Sequence, residues 1–170
     1  TKGTRMGGWD NVRKLRLLAT VSASDGVRHQ FTTLFDHGVF DTFPRLKVLV
    51  LESGGGWLGY WLDRIDAVYG HTWIGTRVPL EHKPSDYFRE RVWVSCDPDE
   101  RTIPHLAERY GGRFLWASDF PHADHTPEYV HDLEELAAGF PDGPDRARFL
   151  GGNARELFKI PDSAVAAPPS

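Results

Sequence analysis

Apolar positions along this chain alternate between a helical rhythm and short continuous runs. Val27, Phe31, Leu34 and Phe35 recur at i, i+4, i+7 and i+8, the spacing of one helical face. Ser22-Ala23-Ser24-Asp25 supplies N-cap residues before that face, and Gly38 is its expected stop. Residues 46–51 (LKVLVL) then form a nearly continuous apolar run of strand length, as expected of a parallel strand buried on both faces. After Glu52-Ser53-Gly54-Gly55-Gly56, a second helical face carries Trp57, Tyr60, Trp61, Ile65 and Val68 and ends at Gly70. Ser85 is a candidate cap for a short helix to Arg91. Residues 92–95 predict a second strand, and 102–110 a helix closed by Gly111-Gly112. Residues 114–117 predict a third strand, and Thr126-Pro127 starts a helix that runs to Ala138. A short helix follows within 145–150, and Asn153 caps a last one through Phe158.

Strands alternating with helices predict an α/β fold with a parallel sheet and right-handed crossovers. In such sheets the ligand site lies at the carboxyl ends of the strands. That rule selects three loops, at 52–56, 95–99 and 118–125. Residues 1–24 read as a loop or lead-in segment, 25–160 as the alternating unit, and 161–170, rich in Ala and Pro, as a flexible tail.

Composition narrows the partners. Hydrophobic residues make up 40% and charged residues 26%, which places the chain among globular proteins rather than disordered ones. A net charge of −4 with no basic stripe argues against a nucleic-acid partner. No apolar run approaches the roughly 20 residues that span a bilayer, and the first residues lack the apolar core of a signal peptide. Cys96 is the single cysteine, so a disulfide framework is excluded and a cytoplasmic setting is expected.

Candidate chemistry concentrates after the third strand. Asp119, His122, Asp124 and His125 fall within seven residues, a grouping suited to a divalent metal or to acid–base work. Spacing alone supports equally a helix cap with surface histidines. Asp119 is the sharper candidate because it follows the apolar run directly. The glycines at 54–56 permit positive φ and close approach to a ligand before a helix N-terminus. A tight strand-to-helix turn stabilised by Glu52 explains the same residues. Arg64 and Asp66 fit a solvated helix face. Cys96 fits a buried, inert thiol.

Four segments, in this order, resemble the amidohydrolase-related family of metal-dependent hydrolases and decarboxylases. They are Gly38-Val39-Phe40-Asp41-Thr42-Phe43-Pro44-Arg45-Leu46-Lys47-Val48; Glu52-Ser53-Gly54-Gly55-Gly56-Trp57 with Leu62-Asp63-Arg64-Ile65-Asp66; Trp116-Ala117-Ser118-Asp119-Phe120-Pro121-His122; and Gly152-Asn153-Ala154-Arg155-Glu156-Leu157-Phe158. The resemblance covers roughly residues 25–160. It implies a (β/α) TIM-type barrel of which strands six to eight, the C-terminal half, are present. It implies an enzyme with a divalent metal, zinc or manganese, acting on a small carboxylated, cyclic or aromatic compound. Asp119 matches the aspartate that ligates the metal and shuttles a proton; Glu52 and His122 are its catalytic companions. Arg64, Ser53 and Trp57 are the implied substrate-binding residues, Arg64 by matching an arginine that in dimeric relatives reaches a neighbouring active site. Ser53 stands where decarboxylase members carry a catalytic histidine.

The paired first-strand ligands of the family, His-x-His or Glu-x-His, have no counterpart near the start of this chain. The fifth-strand histidine has none either. A full barrel needs eight strand–helix units in about 250 residues. The expectation is therefore a barrel half that lacks its N-terminal part or forms a homodimer, with weak metal binding of its own. Two alternatives remain open at this point: a non-catalytic barrel fragment, or a small α/β domain binding an anion at residues 54–56.

Overall fold

Three short parallel strands form one sheet in the order β1 (Val48–Val50), β2 (Val92–Cys96), β3 (Phe114–Trp116). Val48 pairs with Val92, Val50 with Val94, Val94 with Phe114 and Cys96 with Trp116. The computed structural model describes residues 21–71, 80–120 and 128–161. Residues 1–20 of the expected 1–24 lead-in, the helix start at Thr126-Pro127 and residues 162–170 of the expected 161–170 tail lie outside the described residues.

Helices fill the connections. A 3-10 turn at Ser22–Ser24 leads into α1 (Asp25–Asp36), and Gly38, at φ 59°, turns the chain into α2 (Val39–Thr42). Between β1 and β2 come α3 (Leu58–Tyr69) and α4 (Pro84–Arg91), and α5 (Ile103–Tyr110) joins β2 to β3. After β3 follow α6 (Tyr129–Ala138), α7 (Pro144–Ala147), a π turn at Arg148–Gly152 and α8 (Asn153–Phe158).

All five residues of β2 are buried, the signature of a parallel strand covered on both faces. Val92, Val94 and Cys96 join Val50, Phe114, Leu58, Phe88 and Ile103 in the strand–helix core. Trp93, on the opposite face by alternation, is fully buried, with Arg113 and Lys47 over its ring at 4.3 and 5.0 Å from the centroid. Leu49, Leu51, Val94 and Leu115 are candidates for the barrel's inner surface or the strand–helix layer; Val94 belongs to the strand–helix core, Leu115 is buried, and of the four only Leu51, at 54%, is exposed.

The buried stripe of α3 also differs from the expected face. Leu58 and Leu62 are fully buried, whereas Tyr60 is 69% exposed. Each residue turns the helix by about 100°, so Tyr60 points some 200° away from the Leu58–Leu62–Ile65 stripe. The leucines, not the aromatic residues, decide the phase of this helix.

Polar side chains tie the layers together. Asp66 accepts the Ser85 N–H at 3.0 Å and so caps α4 from a neighbouring helix; Ser85 makes no side-chain cap. Asp63 accepts Arg109 Nη2 at 2.8 Å and the Tyr110 hydroxyl, and these bonds hold its carboxyl below the ordinary value. The buried Tyr87 hydroxyl donates to Asp41 and accepts the N–H groups of Glu81 and His82. Asn153 does not cap α8. It is buried, and its Nδ2 donates to the carbonyls of Gly112 and, at 2.8 Å, Phe114, pinning both sides of the entry to β3.

Candidate active site

The carboxyl ends of the three strands form one edge, and the sequence places its acidic residues along it. Asp119 follows β3 and Glu52 follows β1; both are exposed. Both hold left-handed backbone, at φ 54° and φ 52°. A non-glycine residue in this region costs on the order of 1 kcal/mol, and such residues cluster at functional sites. Lys159, at φ 55°, is the remaining non-glycine case among the described residues, and it is the ordinary C-cap of α8. Glu52 and Asp119 have no helix end to explain them.

These two residues leave β1 and β3, which β2 separates, and not neighbouring strand ends. Two strand spacings separate their strands by roughly 10 Å. The middle loop, after β2, carries Asp97, Asp99 and Glu100, and Glu100 is the residue that sequence reasoning missed. Its carboxylate accepts the Gly55 N–H at 2.9 Å on both oxygens, the Gly56 N–H at 2.6 Å and the Asp97 N–H at 2.9 Å.

This clasp explains the three glycines. A Cβ at Gly55 would meet Ile103 Cδ1 at 2.9 Å and Cys96 Cβ at 3.3 Å. At Gly56 it would meet Glu100 Oε2 at 3.0 Å and Thr102 Oγ1 at 3.1 Å. Gly54 adds a φ of 63°. The anion expected at residues 54–56 is thus the chain's own Glu100, and the alternative of a free-anion-binding domain is overturned. The Gly55 and Gly56 donors are already taken by that carboxylate.

Among the expected substrate-binding residues, Trp57 is half-buried. Its indole N–H donates to the Gly54 carbonyl at 2.9 Å and its ring packs edge-on to Phe31 at 5.9 Å. It braces the loop rather than offering a free aromatic face. The Ser53 hydroxyl, also half-buried, reaches the Gly54 carbonyl at 3.5 Å. Arg64 is exposed on α3 and lines a cavity of about 220 Å³ between helices, with Phe35, Trp61, Ile65, Tyr69 and Leu80. It belongs to the outer helical layer rather than to the sheet edge. His122 lies outside the described residues.

Among the described residues, no three His, Cys, Asp or Glu side chains come together as a metal site. Cys96 is buried at the end of β2. Burial first, then the carboxylates of Glu100, Asp97 and Asp99, push its thiol far up, which disfavours a nucleophilic thiolate at neutral pH. No described helix is long and apolar enough to cross a membrane.

Residues 16–160 match the family described as amidohydrolase. The chain belongs to the amidohydrolase family. A gamma-resorcylate decarboxylase from Polaromonas sp. (strain JS666) is 31% identical over 134 residues, covering 75% of this chain and 38% of that protein. The chain therefore spans well under half the length of this relative. Among solved structures, an amidohydrolase from Mycobacterium avium subsp. paratuberculosis K-10 superposes with a TM-score of 0.66 at 24% identity, over 84% of this chain and 35% of its own, and shows the shared fold. A dihydroxybenzoic acid decarboxylase from Polaromonas sp. JS666, solved with manganese and 2-nitroresorcinol, gives 0.58 at 27% identity, over 78% and 40%. The parallel strand–helix units of this chain are thus of the amidohydrolase, TIM-barrel type.

Proposed function

We propose that this chain forms strands six to eight of an amidohydrolase-type barrel and carries the proton-transferring side of an active site that decarboxylates a small aromatic carboxylate. The single observation behind it is Asp119, held in left-handed backbone at the carboxyl end of β3, with Glu52 held likewise at the end of β1. The matched decarboxylases supply the substrate class. In this reaction the bond between the ring and its carboxylate breaks and carbon dioxide leaves. The electron pair stays on the ring carbon, which takes a proton. Asp119 delivers that proton, and Glu52 and His122 set the charge around it. Arg64 would serve a substrate carboxylate only across a homodimer contact, since it lies on the outer layer. Ser53, replacing the histidine of decarboxylase members, favours hydrolysis of a small carboxylated compound as the second reading.

A divalent ion, manganese or zinc, belongs to this proposal, because the dihydroxybenzoic acid decarboxylase holds manganese. The described residues do not fit it by themselves. Asp119 offers one carboxylate, and Glu52 follows a strand two positions away along the sheet. Further ligands must come from outside the described residues, so no step is derived through the ion. A cytoplasmic setting is part of the same reading, as is either a homodimer or a remaining barrel half.

The test is turnover of 2,6-dihydroxybenzoate and other aromatic carboxylates with manganese or zinc, followed as carbon dioxide release. Asp119→Asn should lower turnover by about a hundredfold or more, the usual worth of a positioned acid–base group. Release unaffected by Asp119→Asn would overturn the assignment. Hydrolysis without carbon dioxide release would favour the second reading.

A further inference from the structure

The loops after β1 and β2 are joined by a single side chain that the proposed reaction has not used. Glu100 closes the glycine turn of the first loop from within the second, through the N–H groups of Gly55 and Gly56, while it also holds the Asp97 N–H of its own loop. The turn preceding this clasp contains two left-handed residues, Glu52 and Gly54, in three positions. Such a turn has many alternatives when its donors are free. Filled by a carboxylate, it has one arrangement, and that arrangement fixes where Glu52 and Ser53 emerge from the end of β1.

We propose that Glu100 is a positioning residue: an internal carboxylate that occupies the anion nest at residues 55–56 and thereby holds Glu52 and Ser53 in place at the active-site edge. This rests on the reading of that edge as the active site. Three features support it beyond the hydrogen bonds themselves. The fit is close on every side, since a Cβ at Gly54 or Gly56 would press on the Glu100 oxygens at 3.2 and 3.0 Å. The nest lies just ahead of the Trp57 N-cap of α3, a helix of 12 residues whose N-terminal dipole favours a negative charge nearby. The Trp57 indole closes the turn from the other end by donating to the Gly54 carbonyl. Glu100 touches no reacting atom in this scheme; it acts through the loop it holds.

The experiment uses Glu100→Ala with acetate as the probe. Acetate has the size of the methylene and carboxylate that the substitution removes. Amide hydrogen exchange at Gly55 and Gly56 should quicken about tenfold in Glu100→Ala and slow again when acetate is added. The Glu52 amide resonance should shift with the substitution and return with acetate. For the aromatic carboxylate, kcat should fall about tenfold with KM little changed, and acetate should restore kcat. Loss of fold alone would not recover with acetate. If Glu100→Ala does not fold, Glu100→Gln keeps the side-chain volume and should give intermediate exchange at the same two amides. Unchanged protection at Gly55 and Gly56 in the variant that folds overturns the proposal. So does faster exchange with kcat unaltered. If the unsubstituted chain, assembled as a homodimer or with the remaining barrel half and supplied with manganese or zinc, turns over no aromatic carboxylate, the functional reading fails, and the positioning role is decided by the exchange, the Glu52 shift and the acetate response.

Discussion

Glu52 and Asp119 share nearly the same left-handed backbone, φ 52° and 54°, at the ends of two strands that do not touch. A β-strand alternates its side chains between faces, and that alternation ends where Glu52 stands two residues past Val50 and Asp119 three past Trp116. A left-handed residue breaks the sequence and re-aims the chain. That it happens at both acidic strand ends ties local strain to the proposed chemistry, at a cost the fold must offset elsewhere.

Glu52→Gly should therefore stabilise the chain while harming its activity. Glycine relieves the left-handed strain and loses more freedom on folding, so the net gain is up to about 1 kcal/mol. The urea midpoint reads it directly, and a lower midpoint would mean that Glu52 makes contacts worth more than its strain.

Gly55→Ala should do the opposite. Its Cβ would press on Ile103 Cδ1 at 2.9 Å and Cys96 Cβ at 3.3 Å, atoms of the closed core with little space to yield. Overpacking of this kind costs about 1–3 kcal/mol. Thermal unfolding should show the loss, and an unchanged melting temperature would show the loop to be looser than its contacts imply.

Tyr87 gives the chain an alkaline limit. Burial, then the bond to Asp41, pushes its hydroxyl up to about 12, above the ordinary value of 10.0. A raised folded value favours the protonated form in the native state. Its contribution to stability is complete below about pH 10 and is lost as the pH climbs through about 12. Tyr87→Phe should cost about 1–3 kcal/mol at neutral pH, because Asp41 and two backbone N–H groups lose a partner. It should also flatten the alkaline decline seen in denaturant titrations from pH 9 upward. A decline of equal steepness in the variant would assign the alkaline loss to another group.

Asn153→Ala should loosen the entry to β3. Two carbonyls, of Gly112 and Phe114, lose their donor in a buried setting, at about 1–3 kcal/mol. Exchange at the β3 amides should quicken ahead of that at β2 amides. Uniform quickening across the sheet would argue for global destabilisation instead.

The alternation of strand and helix was legible because buried parallel strands write themselves as apolar runs, and 46–51, 92–95 and 114–117 all hold strands in the structure. So was the placing of Asp119 and Glu52, since a strand end is a position along the chain. The inertness of Cys96 could be read from its lack of basic neighbours. What only the tertiary structure decided was who meets whom across the sheet. Asp66 caps a helix that follows it by nineteen positions, and Asn153 holds β3 rather than its own helix. Three glycines next to a glutamate admit a ligand cradle as well as the tight turn that spacing favours. Glu100 decides between them from 45 residues away, by filling the donors itself. Local pattern carries strand and helix because burial is periodic along the chain; pairing between distant side chains leaves no such period, so it becomes visible only once the chain has folded.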